Sequence, residues 1–161
     1  MLVGDADPRT RAVMNGLLVL DSTPAWDELL ATFERAARLV PRMRQRVVTP
    51  VLPVGPAVWA DDPEFDVRDH VRRIGVIPGG ALTDVFETAA AASTGAFDSA
   101  RPLWEATLID GLPEGRAALV LRAHHSLTDG LGPVSLLPLL VPHPPPHRRQ
   151  RPAHPPNTLP P

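Results

Sequence analysis

Apolar residues along the chain change their period several times, and each change marks an element. Val13–Leu20 (VMNGLLVL) is a short apolar run followed by Asp21-Ser22-Thr23-Pro24, which predicts a buried strand ending at a helix start. Thr23 is suited to cap that helix and Pro24 to occupy its first position. Trp26, Leu29, Leu30, Phe33, Ala37 and Val40 then recur at helical spacing, with Asp27, Glu28, Glu34, Arg35 and Arg38 on the other side. An amphipathic helix is expected to run to Pro41. Residues 42–60 alternate and are broken by Pro50, Pro53 and Pro56, which predicts one short strand, an irregular connection and a return near Val58-Trp59. A further extended segment is expected at Asp66–Arg73, before the break at Pro78-Gly79-Gly80. Leu82, Val85, Phe86, Ala89 and Ala90 give a second amphipathic helix that ends before Gly95. Leu103–Ile109 and Arg116–Ala123 are two β-type runs joined by Asp110–Gly115, a hairpin connection containing Gly, Pro and Gly. Strands interleaved with two or three helices predict an α/β or α+β layer with the helices on one face.

With 161 residues the chain fits one domain with a real core, and no internal repeat interrupts it. Composition divides it in two. Nine of the 21 prolines lie in residues 142–161, a stretch with almost nothing to bury, so the expectation is a body over 1–141 and a disordered Pro-rich tail over 142–161. The body carries 13 Arg against 18 acidic residues, net −5, while the tail carries three Arg and no acid. Nucleic acid is therefore not an expected partner of the body. Cysteine is absent, which removes disulfides, thiolate nucleophiles and Cys-bound metals. Lysine is absent too, which removes Schiff-base chemistry and the phosphate-binding lysine of a P-loop. No apolar run approaches the roughly 18 residues of a spanning helix, and Met1–Asp5 lacks the basic start of a signal peptide, so a cytoplasmic location is expected.

Candidate chemistry concentrates where the last β-type run ends, in His124-His125-Ser126-Leu127-Thr128-Asp129-Gly130. Neighbouring strand residues face opposite ways, so if one histidine reaches a cleft the other is packed or hydrogen-bonded behind it. Asp129, beyond the strand end, has the choice of orienting an imidazole or pairing with an Arg to hold the turn. Gly130 permits a backbone conformation or a close approach that a side chain would block. A histidine at a strand end is also commonly just a satisfied, partly buried residue. No metal site is expected, because His124 and His125 diverge and no third ligand stands at a familiar spacing. Ser126 lacks a Gly-x-Ser-x-Gly elbow and reads as a spacer rather than a nucleophile. His143 and His147 stand four apart, but the prolines between them forbid the helix that would pair them.

His-His-x-x-x-Asp-Gly at a strand end resembles the signature of the CoA-dependent acyltransferase superfamily, which includes chloramphenicol acetyltransferase-like enzymes and peptide-synthetase condensation domains. The flanks narrow the resemblance. Arg101-Pro102-Leu103-Trp104-Glu105, Leu108-Ile109-Asp110-Gly111-Leu112 and Ala118–Arg122, with Asp62–Asp66 and His70–Arg73 upstream, look like the bacterial wax ester synthase/diacylglycerol acyltransferase family. The resemblance covers roughly residues 13–140. It implies a layered α/β sandwich, one chloramphenicol acetyltransferase-like half with a mixed sheet and helices packed on it. It also implies transfer of a long-chain acyl group from acyl-CoA, a co-substrate rather than a bound cofactor, to diacylglycerol or a fatty alcohol.

By the same resemblance, His125 is the general base, His124 is supporting, Asp129 holds the loop through an Arg, and Gly130 keeps the acyl or pantetheine channel open. Pro102–Glu105 are expected to be strand and core residues. The family plan has two such halves with the channel between them, and this chain is expected to supply the first, with its next helix starting near Leu131. The usual Ser-Pro-x-Asp start is replaced by MLVGDADPRTRAVM. Three outcomes follow for such a half: self-association or a complementary C-terminal-half chain, a catalytically silent interaction module or subunit, and peripheral contact with a membrane or lipid droplet.

Overall fold

Ala117–His124 (AALVLRAH) carries apolar residues at both odd and even positions, the pattern of a strand covered on both faces. In the computed structural model, which describes residues 13–48, 57–75, 82–92 and 94–128, all eight of its residues are buried. The elements are β1 (Val13–Leu20), α1 (Trp26–Leu39), β2 (Gln45–Val48), β3 (Val58–Asp61), β4 (Val71–Gly75), α2 (Leu82–Ala92), β5 (Trp104–Asp110) and β6 (Ala117–His124). Short 3₁₀ turns stand at Pro41–Arg44, Val67–Asp69, Pro113–Gly115 and His125–Thr128. The main sheet has the order β1-β6-β5-β4. β6 is antiparallel to both β1 and β5, while β4 lies parallel to β5, so the sheet is mixed as expected. β2 and β3 form a separate antiparallel hairpin, the predicted short strand and return.

The two helices occupy opposite faces of this sheet, not one face as the sequence pattern suggested. Ala117, Leu119, Leu121 and Ala123 of β6, with Trp104, Ala106 and Leu108 of β5, share a core with Leu29, Leu30, Phe33, Ala36 and Ala37 of α1. Ala118, Val120 and Ile109 instead join Val85 and Ala89 of α2. The period-2 parity of β5 and β6 divides the two cores, and apolar residues at both parities require a cover on each side.

Two local expectations fail for identifiable reasons. Neither Thr23 nor Pro24 starts α1. The N-cap is Ala25, without a side-chain cap, and the Thr23 amide donates instead to the Gly115 carbonyl at 3.2 Å, tying the β1–α1 link to the β5–β6 turn. The segment Asp66–Arg73 is not uniformly extended. The Asp66 carboxylate accepts from the Arg68 amide at 2.9 Å and nucleates the 3₁₀ turn at Val67–Asp69, so the strand begins only at Val71. In the β5–β6 connection, Gly111 and Gly115 take positive φ (84° and 72°), as does Glu114 (62°). Among the described residues no helix is long and apolar enough to cross a membrane. The helix expected near Leu131 and the tail at 142–161 lie outside the described residues.

Phe33 is fully buried and stacks on Trp104, whereas Phe86 on α2 is 56% exposed. Phe33→Ala should lower unfolding free energy by about 3–5 kcal/mol in urea titrations. Phe86→Ala should change it by no more than about 0.5 kcal/mol.

Candidate active site

The residue at which β6 ends decides which histidine faces water. His124 is the last strand residue, 3% exposed, and its amide still donates at 2.9 Å to the carbonyl of Leu103, the residue just before β5. His125 opens the 3₁₀ turn and is exposed. Leu127, 4% exposed, pins that turn into the α1 core, where it shares a cluster with Met43 of the Pro41–Arg44 turn. The two histidines therefore part company where the strand gives way to the turn, with His124 inside and His125 outside.

Hydrogen bonding fixes the buried imidazole. The Ser126 amide, which can only donate, points at His124 Nδ1 at 3.2 Å, and the Ser126 hydroxyl lies 2.6 Å from the same atom. Nδ1 is thus an acceptor, and the neutral ring carries its proton on Nε2. Ser126 is more than the spacer expected, since its hydroxyl donates to the histidine and helps close the turn. Asp129 and Gly130 lie outside the described residues, so their placement relative to His125 is not part of the geometry here.

On the α2 side of the sheet, two positions before His124, stands the buried cation Arg122, 4% exposed. Its guanidinium reaches Glu105 Oε2 at 3.3 Å, donates to the Gly95 carbonyl and lies 4.2 Å from the Phe97 ring centroid. Glu105 also faces Arg72 at 3.9 Å, and Arg72 donates to the Thr107 hydroxyl at 2.9 Å. Leu103 and Trp104 are core residues as expected, while Glu105 is the acid shared by two arginines.

The sequence pattern did not single out His70, which is only 6% exposed. Its Nδ1 lies 2.9 Å from the Trp104 carbonyl, which can only accept, so Nδ1 holds the proton of the neutral ring. The imidazole stacks on Trp104, with centroids 4.7 Å apart and planes 16° apart. It also borders a cavity of about 420 Å³ whose lining includes Arg46, Asp62, Phe65, Asp69 and Arg101. Burial pushes the His70 pKa below its ordinary value, against the opposing pull of the Trp104 carbonyl; Arg101 lowers it further and Asp69 and Asp62 raise it. The segment His70–Arg73 enters the resemblance, but nothing local gives His70 a role, because its partner is 34 residues away. Among the described residues no group of three or more acidic or histidine side chains is arranged to hold a metal.

The mixed sheet with helices packed on it is the fold class of the acyltransferases and condensation domains among solved structures. Within that class, the chain belongs to the wax ester synthase/diacylglycerol acyltransferase catalytic-domain family, whose family model matches residues 1–160. A putative diacylglycerol O-acyltransferase of Mycobacterium tuberculosis is 44% identical over 133 residues, covering 83% of this chain and 27% of that protein. The probable diacylglycerol O-acyltransferase tgs3 of the same species is 35% identical over 120 residues, covering 72% of this chain and 44% of that protein.

Among solved structures, the wax ester synthase/diacylglycerol acyltransferase from Marinobacter aquaeolei VT8 superposes with a TM-score of 0.59 at 26% identity, over 78% of this chain and 32% of that one. The first condensation domain of the calcium-dependent antibiotic synthetase shares the fold, with a TM-score of 0.67 at 18% identity, over 86% of this chain and 33% of that one. The chain thus spans between about a quarter and a half of the length of these proteins.

The depressed pKa of His70 gives stability a pH dependence with a definite sign. The unfolded imidazole titrates near 6.5 and the folded one lower, so the stability tied to neutral His70 is complete above pH 6.5 and is lost as pH falls below it. The urea midpoint should therefore drop between about pH 7 and pH 5, and less so in His70→Asn, which carries no titrating ring.

Proposed function

We propose that this chain supplies the histidine-bearing part of an acyl-CoA-dependent O-acyltransferase site, which moves a long-chain acyl group to diacylglycerol or to a fatty alcohol. The observation that carries this reading is the division of the histidine pair, with His125 exposed at the end of a fully buried strand and His124 held behind it by Ser126. A rigid strand end is what a base needs in order to meet a substrate hydroxyl in one geometry.

In this reading His125 accepts the proton of the acceptor hydroxyl as its oxygen attacks the thioester carbonyl. The tetrahedral species collapses with cleavage of the C–S bond, giving the ester, and the departing thiolate takes the proton back from His125. An imidazole can both accept and return a proton, which suits both transfers. His124 supports the turn, Asp129 holds the loop through an Arg, and Gly130 leaves room for the acyl or pantetheine chain. Acyl-CoA enters as co-substrate, and no bound cofactor takes part. In this reading the other wall of the channel lies outside these residues, and the membrane-soluble acceptors are met by peripheral contact with a lipid surface.

Thioester consumption with palmitoyl-CoA and either diacylglycerol or hexadecanol tests the proposal. The wild-type chain is expected to turn over, and His125→Ala to lose about 10²–10⁴-fold of that rate. Equal turnover in both chains would overturn the base assignment. No turnover in the wild type would favour a silent interaction module or subunit in place of the enzyme reading.

A further inference from the structure

We infer that His70 is a positioning residue for the turn that carries His125, acting through Trp104; the inference rests on the reading of His125 as the reacting base. That turn is tied to the sheet and core at two places. The His124 amide donates to the Leu103 carbonyl at 2.9 Å, and Leu127 is buried in the same cluster as Met43. Trp104 joins these two places, since it follows Leu103 in the chain and its indole Nε1 donates to the Met43 carbonyl at 2.8 Å. With Trp104 only 1% exposed, the position of its indole and of its backbone sets where Leu103 and Met43 stand.

His70 holds Trp104 through a ring N–H and a ring face together. In the parallel ladder the last regular pair is Val71 with Ala106, and the Ala106 amide donates to the His70 carbonyl at 2.8 Å. One step further the ladder would have the His70 amide donate to the Trp104 carbonyl. That amide is instead spent on the Val67 carbonyl at 3.0 Å, closing the 3₁₀ turn. The His70 side chain replaces it, with Nδ1–H reaching the Trp104 carbonyl at 2.9 Å. The same ring stacks on the indole, which also stacks on Phe33 at 5.4 Å. Phenylalanine would keep the stack without the donor, leaving a buried carbonyl unpaired. Asparagine would keep a donor near the Nδ1 position without the stack.

Three chains and two spectroscopic signals test this. In the assigned ¹H–¹⁵N spectra of the whole chain, His70→Phe is expected to speed hydrogen exchange at the Trp104 indole N–H and to shift the His125 ring resonances. His70→Asn should stay close to wild type, and Val85→Ala, in the core on the opposite face, should lower the thermal midpoint without moving either signal. Unchanged signals in His70→Phe, or equal changes in Val85→Ala, would overturn the inference. Trp104→Phe deletes the donation to Met43 and reads the same clamp from its other end, which keeps the test open if His70→Phe does not fold. With palmitoyl-CoA, His70→Phe should lose about 10²-fold in kcat at unchanged KM, the loss expected when a base is displaced by about 1 Å. An inactive wild type would overturn the acyl-transfer reading alone, since the spectra decide the positioning of the turn without turnover.

Discussion

Antiparallel pairing of β6 with β1 on one side and β5 on the other holds Ala117–His124 away from water along its whole length. A strand so enclosed offers its side chains to solvent only where the ladder stops. Its two faces are already taken, by α1 on the odd positions and α2 on the even ones. Side chains of β6 therefore reach solvent only past the sheet end, and the change from strand to 3₁₀ turn between His124 and His125 decides which imidazole is exposed. Had the strand run one residue further, His125 would have pointed into the α1 core.

The even face near this end is not apolar. Arg72 and Arg122 share the single carboxylate of Glu105, and Arg122 Nε is buried with no hydrogen-bond partner among the described residues. Burying a guanidinium is costly unless its donors are matched. The matching is done by the Gly95 carbonyl, Glu105 and the Phe97 ring, which tie the segment after α2 to the last turn of β6. One consequence is that the 95–97 segment and the histidine pair are anchored to the same strand, two residues apart.

Much of this was legible in the chain of residues, and the reasons are local. The bounds of β1, and the presence and approximate place of the β5–β6 hairpin and of both helices, follow from hydrophobic period and from the placement of Gly and Pro. What was misread depended on partners distant in sequence. The pattern cannot show that Thr23 donates to Gly115 rather than capping α1, nor that the helices take opposite faces, although the doubly apolar parity of β6 already demanded two covers. At the site, strand alternation gave the divergence of His124 and His125 but not its sense, because that depends on where the ladder ends. Ser126 was underrated since its partner is an imidazole rather than a reacting group, and His70 was named only within the His70–Arg73 segment, without a role, because its partner Trp104 is distant in sequence.

The order of the strands has a consequence for how the chain comes into being. β1 occupies residues 13–20, yet its partner β6 is 117–124, and in the sheet formed by the described residues β6 stands between β1 and the β5–β4 pair. During synthesis the run VMNGLLVL must wait on the ribosome for roughly a hundred residues before its ladder can form, and long-range pairings of this kind are slow to close. The sheet and the histidine turn are completed by the same stretch of chain. An intermediate lacking β6 has neither a central strand nor the imidazoles, so the site cannot exist ahead of the fold, and the exposed β1 edge makes that interval the one in which the nascent chain most needs protection from aggregation.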